Sequence, residues 1–415
     1  MVVKHLCDLN SNIMIKKHIL VCAILCMATV SNSQIVTSED SLANGLIAGS
    51  QRTIISGYGE SRASYDIKNK DANATLKRAV LFVGHKFNTR IILFTEMELE
   101  DAVVAGGEED APGELSMEQA FLKFDINSST YFVAGLFTPR IGIINENHLP
   151  TTYNGTERPY VETLIIPATW RGLGIGYYGN SDRLRGLNYS LSLTNGMNSE
   201  HFENGSGIRE GRQEGGKVRG TGLMLNGSLL YYYRSFRIQF SSSMSGTTAK
   251  QASIADTLHL QSGSFANPVF VNEVNVQYRH KGIECKVLAC MVNLPDAANI
   301  NQTFGNNTAT RMLGTYAELS YDLLGRKATQ NTKAVILFIR AEYLDMNQRI
   351  PNNATFVDMN RKSYLIAGLT YKPVRGVAIK MDYTGRLTGK VYENLPFGTA
   401  SYKNGFINVG LGYNF

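Results

Sequence analysis

The sequence predicts an all-β fold, a transmembrane antiparallel β-barrel of about 16 strands. Three observations carry this expectation. Apolar residues recur with a period of 2 rather than 3.6 from Arg52 to the last residue. The runs with that period number 16, an even count. Their connections are short at one end of the strands and long at the other, the layout of a barrel standing in a lipid layer.

In chain order, the first run is 52–63, with Glu60 and Arg62 on its polar face. Runs 77–87 and 90–99 are joined by the tight pair Asn88-Thr89, and runs 117–126 and 130–138 by Asn127 to Ser129. Runs 171–179 and 186–195 follow, then 222–233 and 236–245 joined at Arg234-Ser235, and 269–279 and 282–292 joined at His280-Lys281. Run 312–323 sets Leu313, Thr315, Ala317, Leu319, Tyr321 and Leu323 against Gly314, Tyr316, Glu318, Ser320 and Asp322. Run 334–344 places Phe338, Arg340 and Glu342 opposite Leu337 and Ile339. Runs 363–373 and 376–386 meet at Val374-Arg375, the latter alternating Ile379 and Met381 with Lys380 and Asp382. The last is 405–415. The long connections are 64–76, 100–116, 139–170, 196–221, 246–268, 293–311, 345–362 and 387–404. A soluble β-sandwich also alternates, but it would not keep lysines, arginines and acids in register on one face through every strand.

Composition agrees. Tyr 21 and Phe 18 against one Trp, with Gly 39 against Pro 10, disfavour an all-helical enzyme. A net charge of +6 without basic runs beyond Met1 to Lys17 disfavours a nucleic-acid partner. Ile19 to Val30 is apolar, follows Lys16 and Lys17, and is too short to span a bilayer. It reads as a signal peptide over 1–33, with Met14 a plausible start, then a lead-in over 34–51 and the barrel over 52–415. Leu25 before Cys26 argues against a lipoprotein. Cys285 and Cys290, five apart in one strand, point to opposite faces about 17 Å apart and cannot form a disulfide.

Several apparent chemical motifs dissolve on inspection. Gly174-Ile175-Gly176-Tyr177-Tyr178-Gly179 fits the dinucleotide fingerprint, yet another strand follows where a helix is needed. Cys285 beside Glu284 has no Cys or His at ligand spacing, and His148, His201, His259 and His280 stand singly. No catalytic, metal or cofactor site is expected, and the Asn-x-Ser/Thr triplets read as Asn-rich loops.

Phe406, Asn408, Gly410 and Gly412 alternate with Ile407, Val409, Leu411 and Tyr413 up to a terminal Phe415. A last strand that closes on an aromatic residue resembles the assembly signal of outer-membrane barrels. A second resemblance lies in Gly135-Leu136-Phe137-Thr138-Pro139-Arg140-Ile141-Gly142, Asn145-Glu146-Asn147-His148-Leu149-Pro150, Glu157-Arg158-Pro159 and Ile165-Ile166-Pro167-Ala168-Thr169-Trp170. This stretch is similar to the porin family related to the phosphate-selective porins of Gram-negative outer membranes. Leu149 and Gly172 depart from it, standing where many relatives carry an acid. The resemblance implies a homotrimer of 16-stranded barrels whose third loop folds into the lumen and narrows it. The residues mark the same loop independently: 139–170 is the longest connection and holds Pro139, Pro150, Pro159 and Pro167, four of the ten prolines.

The expected function is an outer-membrane porin, a passive diffusion channel for small hydrophilic solutes or ions. The constriction is expected at Arg140, Glu146, His148, Glu157, Arg158 and Glu162, and the lumen wall at Lys123, Arg340, Glu342, Lys380 and Asp382. Leu319, Leu337 and Ile379 are expected to face lipid, with Glu318→Arg in the lumen costing little. Tyr177, Tyr231, Tyr233, Tyr321 and Tyr413 are expected at the membrane interfaces. Charges on the lumen face nearly balance, so anion preference should be weak and no tight phosphate site is expected. Both termini are expected on the periplasmic side. Partners are membrane lipid and solutes in transit. The alternatives are an adhesin or scaffold barrel with a plugged lumen, and an outer-membrane hydrolase.

Overall fold

A computed structural model describes residues 52–102, 113–216, 218–325, 333–389 and 403–415. The segments read as signal peptide and lead-in lie outside the described residues, apart from the barrel's start at Arg52. Sixteen strands run β1 Thr53–Asp66, β2 Asp71–Lys86, β3 Ile91–Glu100, β4 Leu115–Asp125, β5 Thr130–Phe137, β6 Gly172–Asn180, β7 Leu187–Asn195 and β8 Leu223–Tyr233. They continue as β9 Phe236–Ser245, β10 Val269–His280, β11 Ile283–Asn293, β12 Arg311–Asp322, β13 Ala334–Arg349, β14 Arg361–Val374, β15 Val377–Thr388 and β16 Lys403–Asn414. Each pairs antiparallel with its sequence neighbour, and β16 pairs with β1, so the sheet closes on itself. Closure leaves no unpaired edge, the condition for strands to stand in hydrocarbon. Among the described residues no helix is long and apolar enough to cross a membrane.

The predicted faces separate cleanly on β12 to β15. Leu319, Leu337 and Ile379 point outward with 46–53% exposure, whereas Glu318, Arg340 and Lys380 are buried inside. Cys285 is half-buried and Cys290 buried, on opposite faces of β11. Outside, ring pairs such as Tyr231 with Tyr233 and Phe236 with Tyr278 gather near the tight turns.

Turn chemistry explains the short connections. Asn88 Oδ1 accepts from the backbone N–H of Arg90 and Ile91, and Asn127 Oδ1 from those of Ser129 and Thr130. Between β10 and β11 the turn is Lys281-Gly282, one residue beyond the expected pair. Both residues have positive φ, 48° and 85°, as a two-residue hairpin turn requires, and glycine supplies the second at no steric cost.

Three expectations need correction. The connection expected over 64–76 is four residues, 67–70, because β1 and β2 extend as a hairpin. Its turn is held by Asp66 Oδ1 accepting from the N–H of Lys68 and Asn69. Asp71 to Ala74 are exposed on both faces, so no apolar alternation marks them as strand. Secondly, among the described residues, register shifts break the regular pairing at four places, two of them β-bulges of one extra residue on the charged face. Glu60 pairs with Arg78 but Ser61 with Leu76, and Glu96 pairs with Gln119 but Met97 with Met117. The extra residues, Lys77 and Glu118, turn inward although strict alternation sends them outward. Thirdly, the inner face is not uniformly charged. Phe82, Phe94, Phe121 and Phe137 form one apolar cluster inside β2 to β5, and Val271, Leu288, Val292 and Met312 join a larger one inside β10 to β12.

Candidate functional site: the lumen and its inner loop

The connection from β5 to β6, residues 138–171, enters the barrel and becomes its inner layer. Only Asn147, Thr152, Glu157, Tyr160, Thr163 and Leu164 in it escape burial. Its base is stapled by Asn145, whose Nδ2 donates to Pro139 O at 2.7 Å and Trp170 O at 3.0 Å while Oδ1 accepts from Trp170 N at 2.6 Å. Ile141, Ile143, Val161, Ile165, Ile166 and Trp170 complete the larger apolar cluster of the wall. Burying these side chains contributes roughly 1.5–3 kcal/mol each. The loop is therefore a packed element, held as firmly as a domain core.

The tip reaches the tight-turn end of the barrel. Thr151 Oγ1 donates to Asn414 Oδ1 at 2.6 Å, and Lys372 Nζ donates to Thr151 O at 2.7 Å. Pro150 lies on Gly412, where a Cβ would come within 2.7 Å of the proline ring. The returning arm is fixed residue by residue to the wall. Tyr153 OH donates to Glu60 at 2.5 Å, and the Lys380 ammonium stands 3.8 Å from the centre of the Tyr153 ring. Asn154 Nδ2 donates to Glu318 at 3.0 Å, and Thr156 N to Asp382 at 2.7 Å. Glu157 pairs with Arg62 and with Lys77, the latter at 2.7 Å. Arg340 donates to the carbonyls of Asn154 and Glu157 and to Glu318 and Glu342. The short helix Tyr160–Leu164 begins with Val161 N donating to Glu342 at 3.0 Å. From the loop side, Arg209 and Arg212 donate to the carbonyls of Thr163, Pro167, Ala168 and Thr169.

All six residues expected at the constriction lie in this loop, and the structure buries most of their side chains. Arg140 is buried, its Nε donating to Glu146 at 2.7 Å and its guanidinium 5.5 Å from the Tyr178 ring. Arg158 NH2 donates to His148 O at 3.3 Å. His148 and Glu162 have no exposure, Arg158 7% and Glu146 8%, whereas the Glu157 side chain keeps 19%. Of the expected wall residues, Arg340, Glu342, Lys380 and Asp382 contact the loop, while Lys123 pairs with Asp125 at 2.8 Å beside the Tyr131 ring. Lys77, Glu118, Tyr153 and Asn145 were not singled out by sequence. For Glu118 a signal was present, since an acid between Met117 and Ala120 on a lipid-facing register is itself anomalous.

Glu162 is a buried acid of the loop. Burial pushes its carboxyl up to about 7, outweighing hydrogen bonds from Ile144 N, Tyr316 OH and Ile143 N. An acid whose folded pKa is raised gives a stabilising contribution that is full below the unfolded value near 4.5 and is lost as pH rises to about 7. Wild type should thus lose up to about 3 kcal/mol relative to Glu162→Gln across that window and nothing further above it. Thermal unfolding of both proteins in detergent, pH 4 to 8, checks this; parallel curves throughout would contradict it.

Beyond the tip lies an open vestibule of about 590 Å³. The loop contributes Asn147, Thr151, Thr152 and Asn154 to it, and the rim carries Arg279, Lys372 and Arg375 against Glu284 and Asp322. Arg279 donates to Glu284 at 2.6 Å, so part of that charge is internally paired.

No family model matches the chain. It is 28% identical over 344 residues to an uncharacterized protein of Aquifex aeolicus strain VF5, covering 79% of this chain and 74% of that one. Among solved structures it is similar to OmpF of Salmonella typhi, with TM-score 0.54 and 14% identity, covering 88% of this chain and 97% of that one. An anion-selective porin of Comamonas acidovorans gives TM-score 0.53 at 10% identity, covering 88% and 99%. The outer membrane channel DcaP of Acinetobacter baumannii gives 0.50 at 15%, covering 88% and 97%. At these identities the likeness is one of fold: the closed 16-strand barrel is shared with outer-membrane porins.

Proposed function

We propose that the protein is an outer-membrane porin of a Gram-negative bacterium, passing small hydrophilic solutes or ions through its lumen without a covalent step. One observation carries this reading: an apolar outer belt encloses a polar vestibule that runs from the tight-turn mouth to the tip of the inner loop. Such a wall stands in lipid while its interior holds water. Stepwise conductance of the purified protein in a planar bilayer is the test, and a silent, folded barrel overturns it. A homotrimer belongs to the same proposal and is checked by its mass in detergent.

The near-complete burial of loop 138–171 favours a second reading, a plugged barrel whose outer loops bind a surface partner. The same recording separates the two.

Selectivity follows from the rim. Three cations against two acids, with Arg279 and Glu284 paired, leave a small positive excess within one Debye length of about 8 Å at physiological salt. A potassium chloride gradient should give a weakly anion-selective reversal potential, and Lys372→Glu with Arg375→Glu should turn it cation-selective. A strongly anion-selective value that survives both changes argues for charge elsewhere.

Orientation is part of the proposal, with tight turns in the periplasm and long loops outside. Protease added to intact cells should cut within 196–222 or 246–268 and spare the β2 to β3 turn. The opposite pattern would reverse the assignment.

A further inference from the structure

We propose that Glu96, Glu118 and His148 bind one divalent transition-metal ion of the zinc type, which clips the descending arm of the inner loop to the barrel wall. The ligands come from β3, β4 and the loop, and one donor atom from each lies within 4.8 Å of the others. His148 Nε2 is 3.5 Å from Glu118 Oε1 and 3.8 Å from Glu96 Oε2. Around a tetrahedral ion with bonds of about 2.0–2.1 Å, ligand atoms stand roughly 3.3 Å apart. The three donor atoms, within 4.8 Å of one another, would have to close on the ion to reach that spacing.

Burial makes the grouping informative. Glu96 is 1% exposed, and Glu118 and His148 are not exposed at all. Yet Glu96 Oε1, Glu118 Oε1 and His148 Nε2 have no hydrogen-bond partner. His148 Nε2 and Glu118 Oε1 face each other 3.5 Å apart without a hydrogen bond, and buried polar atoms left so are costly and rare, a cost that an ion bound between them relieves. The wall cation Arg78 is engaged by Glu60 at 2.8 Å and Glu98 at 2.9 Å.

Each ligand is braced from behind, as metal ligands are. Tyr58 OH donates to Glu118 Oε2 at 2.7 Å, and Gln119 Nε2 to Glu96 Oε2 at 3.2 Å. His148 Nδ1 lies 3.3 Å from Asn145 O, a contact that takes the proton on Nδ1 and leaves Nε2 as the atom facing the carboxylates. The bulge completes the site: it alone lets Glu118 and Gln119, adjacent in one strand, both point inward. One imidazole with two carboxylates suits a borderline first-row ion better than calcium or magnesium.

The test uses the full folded barrel in detergent after chelator treatment, independently of whether it conducts. Zinc added alone should bind at one ion per chain by titration calorimetry and metal analysis. Cobalt should give visible d–d absorption that zinc displaces. His148→Gln and Glu118→Gln should each weaken binding by at least about a hundred-fold, while Glu284→Gln at the vestibule rim leaves it unchanged. Where a variant fails to fold, X-ray absorption of the zinc-loaded wild type decides, expecting one imidazole and two carboxylates among the ligands. A folded wild type that takes up neither zinc nor cobalt overturns the proposal, leaving an imidazolium between two acids. Binding that survives both substitutions in folded protein, or a different ligand set, overturns it as well.

Discussion

Replacing Arg340 with methionine is expected to lower the unfolding free energy by about 3 to 5 kcal/mol. Its guanidinium is 1% exposed and donates to Glu342 at 2.8 Å, to Glu318 and Asn154 O at 3.1 Å, and to Glu157 O at 3.2 Å. Without it two buried carboxylates face each other, with Lys286 3.5 Å from Glu318 as a partial substitute. Two loop carbonyls lose their donor as well. Because an uncompensated charge, more than a lost contact, sets the cost, adding Glu318→Gln and Glu342→Gln should restore most of the stability. Denaturant unfolding in detergent reads both changes. A loss below about 1 kcal/mol in the single variant would mean that water reaches this cluster.

Leu319→Arg is expected to be destabilising by up to about 2 to 4 kcal/mol, the midplane value being the upper bound for a side chain that is 53% exposed on the outer face toward the end of β12. The neighbouring change, Glu318→Arg, looks cheap from alternation alone because it points into the lumen. The structure reverses that expectation. Glu318 accepts from Asn154 and Arg340 and faces Lys286, so a second guanidinium there would sit among cations in a buried space. Both variants should therefore be destabilised, whereas Leu319→Phe should be nearly neutral. Unfolding in lipid vesicles measures the set, and a neutral Leu319→Arg would place that face away from lipid.

How much of this was legible in the sequence depends on the range of the interactions involved. Alternation is local, so the strands and the outward faces of Leu319, Leu337 and Ile379 could be read directly. Prolines stiffen their own backbone, so the special character of residues 139–170 was also local information. The bulges at Lys77 and Glu118 were not legible as bulges, because a bulge is a property of pairing between two strands, and only the acid on a lipid-facing register hinted at the second. Nor was the burial of Arg140, His148 and Glu162. Their type suggested an aqueous constriction, but the groups that enclose His148 and Glu162 come from β3, β4 and β12, far away in the chain, and Arg140 lies against Tyr178 of β6. The inward aromatics Phe82 and Phe94 kept the period and concealed that part of the lumen is dry.

The seam between the first and last strands bears on the order of folding events. Ser56 of β1 donates to the Phe415 carbonyl across 359 residues of chain, and Gly57 and Phe415 exchange backbone hydrogen bonds. Neighbouring hairpins can zip with small loop-closure cost, but this pairing requires the whole ribbon of strands to curl first. Closure at the seam is then the last and slowest step, and until it occurs β1 and β16 each present a bare edge able to recruit another chain. The cell must keep those edges apart from other copies for as long as the circle stays open.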